Sequence, residues 1–334
     1  MYIFLTAFRN EERILAEFLA EFCETVRKAG ITGKTVLYIV DDLSNDRSVA
    51  ILEEFGRSSA EIEVRVIRAP TNLGNQGAMF FGLRQLEVAP DDVLITFDCD
   101  GEDDVAEIPS ILELGATNPG KMVMIERGRR KESLLFKIFF AFYKLIFRFL
   151  TRQTIIPNNF LLIPGAMVPA IQASPLTAVH FAYAILKLRP AYVSTMRNRR
   201  ARYGGKSSQN LFMLVSHGLV GLMLFYEVVV AKIFMLLFLF GGLFAFVVCL
   251  AVGLPADWVA AQRILIWVAI ATGIVVVGLF GLLLSAALAL MFKLATFALA
   301  ATAAGRPAGS IPRRPNVAEA QSAAPSERFG RGAS

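Results

Sequence analysis

"VLITFDCDGEDD", Val93 to Asp104, is a short apolar run that ends at Phe97 and gives way to five carboxylates in the next seven residues. The run reads as a buried strand and the acids as the loop beyond its carboxyl end. Crowded like charges are unfavourable unless something positive is held among them. Alternate residues leaving a strand point the same way, so Asp98, Asp100 and Glu102 are expected to converge on one point. Oxygen ligands without histidine suit a hard cation, Mg²⁺ or Mn²⁺, which completes its shell with water and substrate phosphates. A solvated acidic loop capping the helix that starts near Val105 is the alternative reading of these residues alone.

Upstream, "TVLYIVDD" and "EVRVIRAP" are similar short strands, and the N-terminal "MYIFLTAF" reads as the first. Between them "EERILAEFLAEFCETVRKAG" has helical spacing, acids at its start and a glycine stop. Strand–helix alternation from Met1 to about Pro119 predicts an α/β domain with a mostly parallel sheet covered on both faces. Ligands of such sheets bind beyond the carboxyl ends of the strands. Both acidic clusters, Asp41–Asp42 and Asp98–Asp104, fall there, so they share one sheet edge. Asp41 or Asp42 has the chemistry to accept hydrogen bonds from a base or ribose, although Asp and Ser are also ordinary N-caps. "NLGNQGAM", Asn72 to Met79, is a glycine turn, with Gly74, able to present backbone N–H groups to phosphate or sugar. "GITGKT", Gly30 to Thr35, has too few residues between its glycines for a phosphate-binding P-loop.

The 334-residue chain divides its charge unevenly: residues 1–120 hold 22 acids against 10 bases, and residues 121–334 hold 6 against 24. The basic residues interleave with Phe, Leu and Ile, which favours an anionic membrane surface over nucleic acid as the partner. Three isolated cysteines argue against a disulfide framework or zinc site and fit a reducing compartment. With two histidines, His180 and His217, a His-rich metal site is excluded. "MYIFLTAFRNEE" lacks the basic start and cleavage site of a signal peptide.

Residues 233–256 and 264–292 contain no charge, and each exceeds the ~20 apolar residues that cross a bilayer. Basic flanks on both sides of the pair predict an integral membrane protein with catalytic domain and both termini cytoplasmic, at the inner membrane of a bacterium. "LLFKIFFAFYKLIFRFL", residues 134–150, carries Lys137, Lys144 and Arg148 on one helical face against Phe, Leu and Ile. That predicts a helix lying in the headgroup plane; an amphipathic core helix is the alternative. Residues 211–232 are expected to run along the surface before the first crossing. The tail, 305–334, is rich in small residues, Pro and Ser and is expected to be disordered. The catalytic domain then spans residues 1–210.

In order and spacing, Asn10-Glu11-Glu12, "DDLSND", "NLGNQGA" and "DCDGED" resemble the family 2 glycosyltransferases, and more narrowly the polyprenyl-phosphate (dolichyl-phosphate type) glycosyl synthases. "RGRRKES" is similar to their R-x-x-R-x-x-S stretch, at Arg127, Arg130 and Ser133, and "RYGGKSS" to their R-x-x-G-x-S-K loop, at Arg202, Gly205 and Ser207. The resemblance implies a GT-A (Rossmann-like) fold, a nucleotide-diphosphate sugar donor (UDP or GDP), a divalent metal and a polyprenyl phosphate acceptor at the membrane. It implies that Asp98, Asp100 and Glu102 hold the metal and that Ala7, Glu11, Asp41, Asp42 and Gly74 line the nucleotide. Arg127, Arg130, Ser133 and Arg202 would handle phosphates, and Lys137, Lys206 and Ser207 the lipid phosphate. A homo-tetramer is one assembly known among such proteins.

The chain departs from the pattern in several places. Thr6-Ala7-Phe8-Arg9 replaces P-x-Y, Glu102 stands where Gln is typical, Asn159-Phe160-Leu161 replaces D-F-R, and Ser208 replaces a lysine. No serine occurs within residues 134–150, where such proteins keep one near the acceptor. The expected reaction is inverting transfer of one sugar to polyprenyl phosphate. A non-catalytic nucleotide- or lipid-binding scaffold, a processive polysaccharide synthase and a sugar-phosphate transferase are the rivals; the processive enzymes carry a Q-x-x-R-W stretch that both tryptophans here are badly placed to supply.

Overall fold

The computed structural model describes residues 1–31, 33–59, 61–127, 134–154, 159–197, 200, 202–204, 211–255 and 258–304. The chain divides into two compact units, 1–291 and 292–334. The first holds a seven-stranded sheet in the order β3-β2-β1-β4-β6-β5-β7. Its strands are β1 Tyr2–Phe8, β2 Thr35–Asp41, β3 Glu63–Arg68, β4 Val93–Thr96, β5 Met122–Arg127, β6 Leu161–Pro164 and β7 Tyr192–Arg197. β1 to β4 are mutually parallel, β6 runs antiparallel to β4 and β5, and β7 is parallel to β5.

Both faces are covered, and period-two alternation decides which side chain goes where. From β1, Phe4 and Phe8 enter one core with Phe18 and Phe22 of α1 (Leu15–Lys28), Leu52 of α2 (Ser48–Ser58), and Ile108 and Ile111 of α4 (Ile108–Thr117). Ile3, Leu5 and Ala7 enter the other, with Met79 of α3 (Gly74–Leu83), Ile171 of α6 (Val168–Ala173) and Ile185 of α8 (Phe181–Leu188). The short α7 (Pro175–Val179) lies between the last two in the chain. Gly82 of α3 packs where an added Cβ would fall 2.4 Å from Val40 and 2.9 Å from Leu5, so the helix approaches the sheet closely only without a side chain.

A third cluster joins α5 (Leu134–Thr151), α8, α9 (Leu211–Met223) and α10 (Tyr226–Gly253) around Phe147, Tyr183 and Phe225. Phe147 meets the Phe225 ring edge-on at 5.5 Å. Gly218 and Gly221 of α9 face the rings of Tyr143 and Tyr183, which leave no room for a Cβ at Gly221. In segment 211–232 the glycine face of α9 packs on α5 and α8, Val215 and Leu219 face outward, and the next long helix begins at Tyr226.

α10 and α11 (Val259–Ala304) contain two stretches long and apolar enough to cross a membrane, Tyr226–Gly253 and Val259–Ser285. Their large side chains face outward; Phe238 is 81% and Trp267 71% exposed, which no buried core helix would show. α10 is tied at its start to α8 and α5. Lys187 of α8 pairs with Glu227 at 2.8 Å and donates to the Leu224 carbonyl, and Lys232 donates to the Phe149 carbonyl at the end of α5.

Candidate active site

At the carboxyl edge of the sheet the loops after β1 and β2 are laced together. Asn10, held at positive φ, accepts from the Asn45 N–H and donates its own N–H to Ser44. The Glu11 and Glu12 amides donate to Ser48 Oγ and Asp46 Oδ2, and Glu12 accepts from the Arg47 amide. Asp41 is buried and accepts from the Ser44 N–H at 2.8 Å. Asp42 spends both oxygens on the next loop, accepting from the N–H groups of Leu73 (2.6 Å) and Gly74 (2.9 Å). Gly74, at φ +68°, opens α3, so Asp42 is the buttress that places the start of that helix.

β4 ends at Thr96, and Asp98 to Glu102 leave it as a turn with Gly101 at φ +87°. Strand alternation ends with the strand, so the turn sets where the three carboxylates lie. Asp100 and Glu102 do meet at one positive charge. Arg202 places Nη2 2.7 Å from Asp100 Oδ2 and Nε 3.3 Å from Glu102 Oε1. Asp98 turns to amides instead: its Oδ1 accepts from Asn75 (3.1 Å) and Asn159 (2.9 Å). Burial and then the facing Asp98 push the Asp100 carboxyl up to about 6, against the pull of Arg202. Burial and then Asp100 raise Glu11, which places that side chain beside the same cluster.

Arg202 is positioned by its neighbour. The Tyr203 N–H donates to the Asp100 carbonyl at 3.2 Å, and its hydroxyl donates to Glu21 of α1 at 2.6 Å. The Tyr203 ring lies over Gly101 so closely that an added Cβ would sit 2.6 Å from it. Arg200 pairs with Glu21 as well and reaches Asp104 at 3.8 Å.

Asn159, 5% exposed, forms the other wall. Its amide nitrogen donates to Asp98 and to Asn75 Oδ1 (2.9 Å), and its oxygen accepts from Gln76 Nε2 (2.9 Å). Gln76 in turn accepts from the Ala182 N–H in the first turn of α8. A part-buried polar chain thus runs from the acidic loop to the start of α8; in that helix the Tyr183 hydroxyl lies 3.3 Å from that of Tyr143 on α5.

Of the sequence-predicted residues, Glu11, Asp98, Asp100, Glu102 and Arg202 lie at the acidic loop, while Asp41 and Asp42 bind the amides of Ser44 and of Leu73 and Gly74 in the neighbouring loops. Ala7 is buried in β1, its carbonyl receiving the Cys99 thiol. Arg127 closes β5 opposite Arg197, and Lys137 lies in the first turn of α5. Arg130, Ser133, Lys206 and Ser207 lie outside the described residues, as do Gly205 and the tail 305–334. Sequence reasoning passed over Asn75, Gln76, Tyr203 and Glu21. The first two were visible inside "NLGNQGAM" and Tyr203 beside Arg202, but only the fold shows what they touch.

The model of the family described as Glycosyl transferase family 2 matches residues 4–168, the span that holds this sheet edge from β1 through β6. Residues 4–168 are a family 2 glycosyltransferase domain. Over 129 residues the chain is 33% identical to an undecaprenyl-phosphate 4-deoxy-4-formamido-L-arabinose transferase of Pectobacterium atrosepticum, covering 39% of this chain and 37% of that protein. It is 32% identical over 129 residues to the protein of the same name from Pectobacterium carotovorum, with the same coverage. The alignment thus spans little more than a third of these curated relatives. Among solved structures, glucosyl-3-phosphoglycerate synthase from Mycobacterium tuberculosis with Mg²⁺ and uridine-diphosphate is similar at 12% identity and TM-score 0.46, covering 68% of this chain and 79% of that one. A likeness that distant carries no argument. The GT-A expectation stands instead on the family match and on the observed sheet, parallel with one reversed strand and helices on both faces.

Among the described residues no three His, Cys, Asp or Glu side chains are grouped as a metal cage. The glycosyltransferase domain fits a divalent cation in another way. Asp100 and Glu102 already converge on one cation, and Mg²⁺ is commonly held by one or two carboxylates with the remaining positions filled by water and substrate phosphates. Such an ion would neutralise charge on a departing diphosphate.

Proposed function

We propose that the protein transfers a single sugar from a nucleotide-diphosphate sugar (UDP or GDP) to polyprenyl phosphate at the cytoplasmic membrane face, inverting the anomeric carbon. The observations that carry this reading are an acidic loop bridged by Arg202 and linked through Asn159 and Gln76 to the start of α8, and an exposed apolar stripe on α5, which packs against that same helix. The names of the matched relatives, undecaprenyl-phosphate sugar transferases, support an acceptor of that class.

α5 supplies the lipid side. It has three faces: Tyr143, Phe147 and Leu150 pack inward, Lys144 and Arg148 line a second face, and Ile138, Phe142, Leu145 and Phe149 form an exposed stripe. The bases therefore sit beside the apolar wall, with the third, packed face opposite. That arrangement lets the stripe enter the acyl region while the bases meet phosphates at the headgroup level. Lys232 ties the end of this helix to α10 where its charged residues stop, so stripe and membrane span share one level.

At neutral pH the acceptor phosphate, with a second pKa of about 6, is mostly a dianion and requires no base. Asn159, in place of a carboxylate, is consistent with that. An acceptor phosphate oxygen attacks the anomeric carbon opposite the diphosphate; a C–O bond forms there as the C–O bond to the diphosphate breaks, its electron pair leaving with the nucleoside diphosphate. Glu11 and Asp41 stand on the nucleoside side. Arg202 holds phosphate oxygens, as Arg does better than Lys by offering a planar fork. Arg127, Arg130, Ser133, Lys137, Lys206 and Ser207 would complete the phosphate contacts. Products from the full-length protein in lipid nanodiscs test this. A sugar joined to undecaprenyl phosphate with inverted anomeric configuration is expected; retained configuration, or a sugar polymer, would overturn it.

A further inference from the structure

We propose that Arg202 is the cation resident between Asp100 and Glu102, and that a divalent ion binds between them only by displacing it. The guanidinium touches both carboxylates, at 2.7 and 3.3 Å, and so stands where an ion shared by them must stand. It is not a loose surface group. Arg202 is three-quarters buried, and Tyr203 beside it is locked to the Asp100 carbonyl, Glu21 and the bare face of Gly101. The charges facing it are Asp100, Glu102 and Glu11. Without a cation this cluster would hold several carboxylates against one another in a half-buried place, and one arginine offsets that cost.

Competition follows from the shared position. In the nucleotide-free protein the ion must break two charge-assisted contacts before it makes its own, so the metal alone binds weakly. A nucleotide diphosphate changes the balance, because its oxygens give the displaced guanidinium a new partner and complete the ion's shell. Metal and donor therefore load together, and Arg202 moves from holding the empty site to holding the diphosphate. This deepens the sugar-transfer reading and rests on it for the identity of the second ligand; the displacement itself concerns only the metal and this chain.

The test is binding of Mn²⁺ alone, followed by electron paramagnetic resonance of the free ion, to the full chain in detergent without nucleotide. R202M should bind Mn²⁺ about ten-fold more tightly than wild type. R202K, which keeps a charge in the cluster, should stay within about three-fold of wild type. Should R202M fold poorly, R202Q is the second neutral variant and carries the same expectation. With saturating UDP or GDP the advantage of the neutral variants should vanish or reverse. Mn²⁺ affinity in folded R202M and R202Q equal to or below that of wild type overturns the displacement, while binding that still disappears in D100N leaves the metal site and the sugar-transfer reading intact. Absence of Mn²⁺ binding in every variant, with and without nucleotide, removes both.

Discussion

Placing a carboxylate at position 159 should damage this protein, although the D-F-R pattern that Asn159-Phe160-Leu161 resembles has aspartate there. In the structure Asn159 donates at 2.9 Å to Asp98 and at 2.9 Å to Asn75, while its oxygen accepts from Gln76. N159D keeps the bond from Gln76 and loses both donations. One lost bond ends on a half-buried charge and one on a neutral amide; together they are worth about 2 kcal/mol, with like-charge repulsion against Asp98 added. For a unit of this size that corresponds to a melting temperature lower by on the order of 10 °C. The sign with pH is fixed as well. A carboxyl at position 159 beside Asp98 would have its folded pKa raised above the unfolded value, so the folded state takes up the proton and the deficit shrinks as pH falls. Thermal unfolding in detergent with EDTA, at pH 8 and pH 5, measures both. N159D as stable as wild type at pH 8, or equally impaired at both pH values, would refute the network as described.

Other consequences are open to measurement. Because Asp100 is pushed up to about 6 from an ordinary 3.8, the metal-free protein should lose stability as pH rises from about 4 to 6, and D100N should flatten that slope in a pH series of melting curves. Mn²⁺ binding should weaken below about pH 6, since a protonated Asp100 is a poor ligand. G101A should cost about 2 kcal/mol or more, combining positive φ with a Cβ pressed on the Tyr203 ring, and should weaken nucleotide-free Arg202 pairing, seen as tighter Mn²⁺ binding per folded molecule. F142S together with F149S should cut turnover on undecaprenyl phosphate by about ten-fold while sparing a short-chain, water-soluble prenyl phosphate, if the exposed stripe of α5 seats in lipid.

Much of the sheet was legible because its first four strands are short apolar runs separated by helices, an alternation that implies parallel pairing. The second half was not. β6 is a four-residue strand reversed between β4 and β5, and β7 is an edge strand whose half-exposed "YVSTMR" lacks an apolar run. The shared edge of the two acidic clusters followed from topology alone. What those acids touch did not: β4 ends at Thr96, so alternation no longer fixes where they point, and Asp98 accepts from amides while Asp100 and Glu102 meet Arg202. Asn159 was visible as a departure from the family pattern, but its partners are up to 84 residues away and belong to the fold. The three faces of α5 were half legible: spacing placed the bases together, and only packing of Tyr143 and Phe147 on Tyr183 and Phe225 shows which apolar side chains remain outside.

The central claim is most directly tested by turnover of the purified full chain in undecaprenyl-phosphate nanodiscs against a panel of UDP- and GDP-sugars. Nucleoside diphosphate release that requires both the lipid phosphate and Mg²⁺ or Mn²⁺, and disappears in D100N, is the predicted result. Nucleotide binding with no release from any donor, or release that continues in EDTA and in D100N, would contradict it.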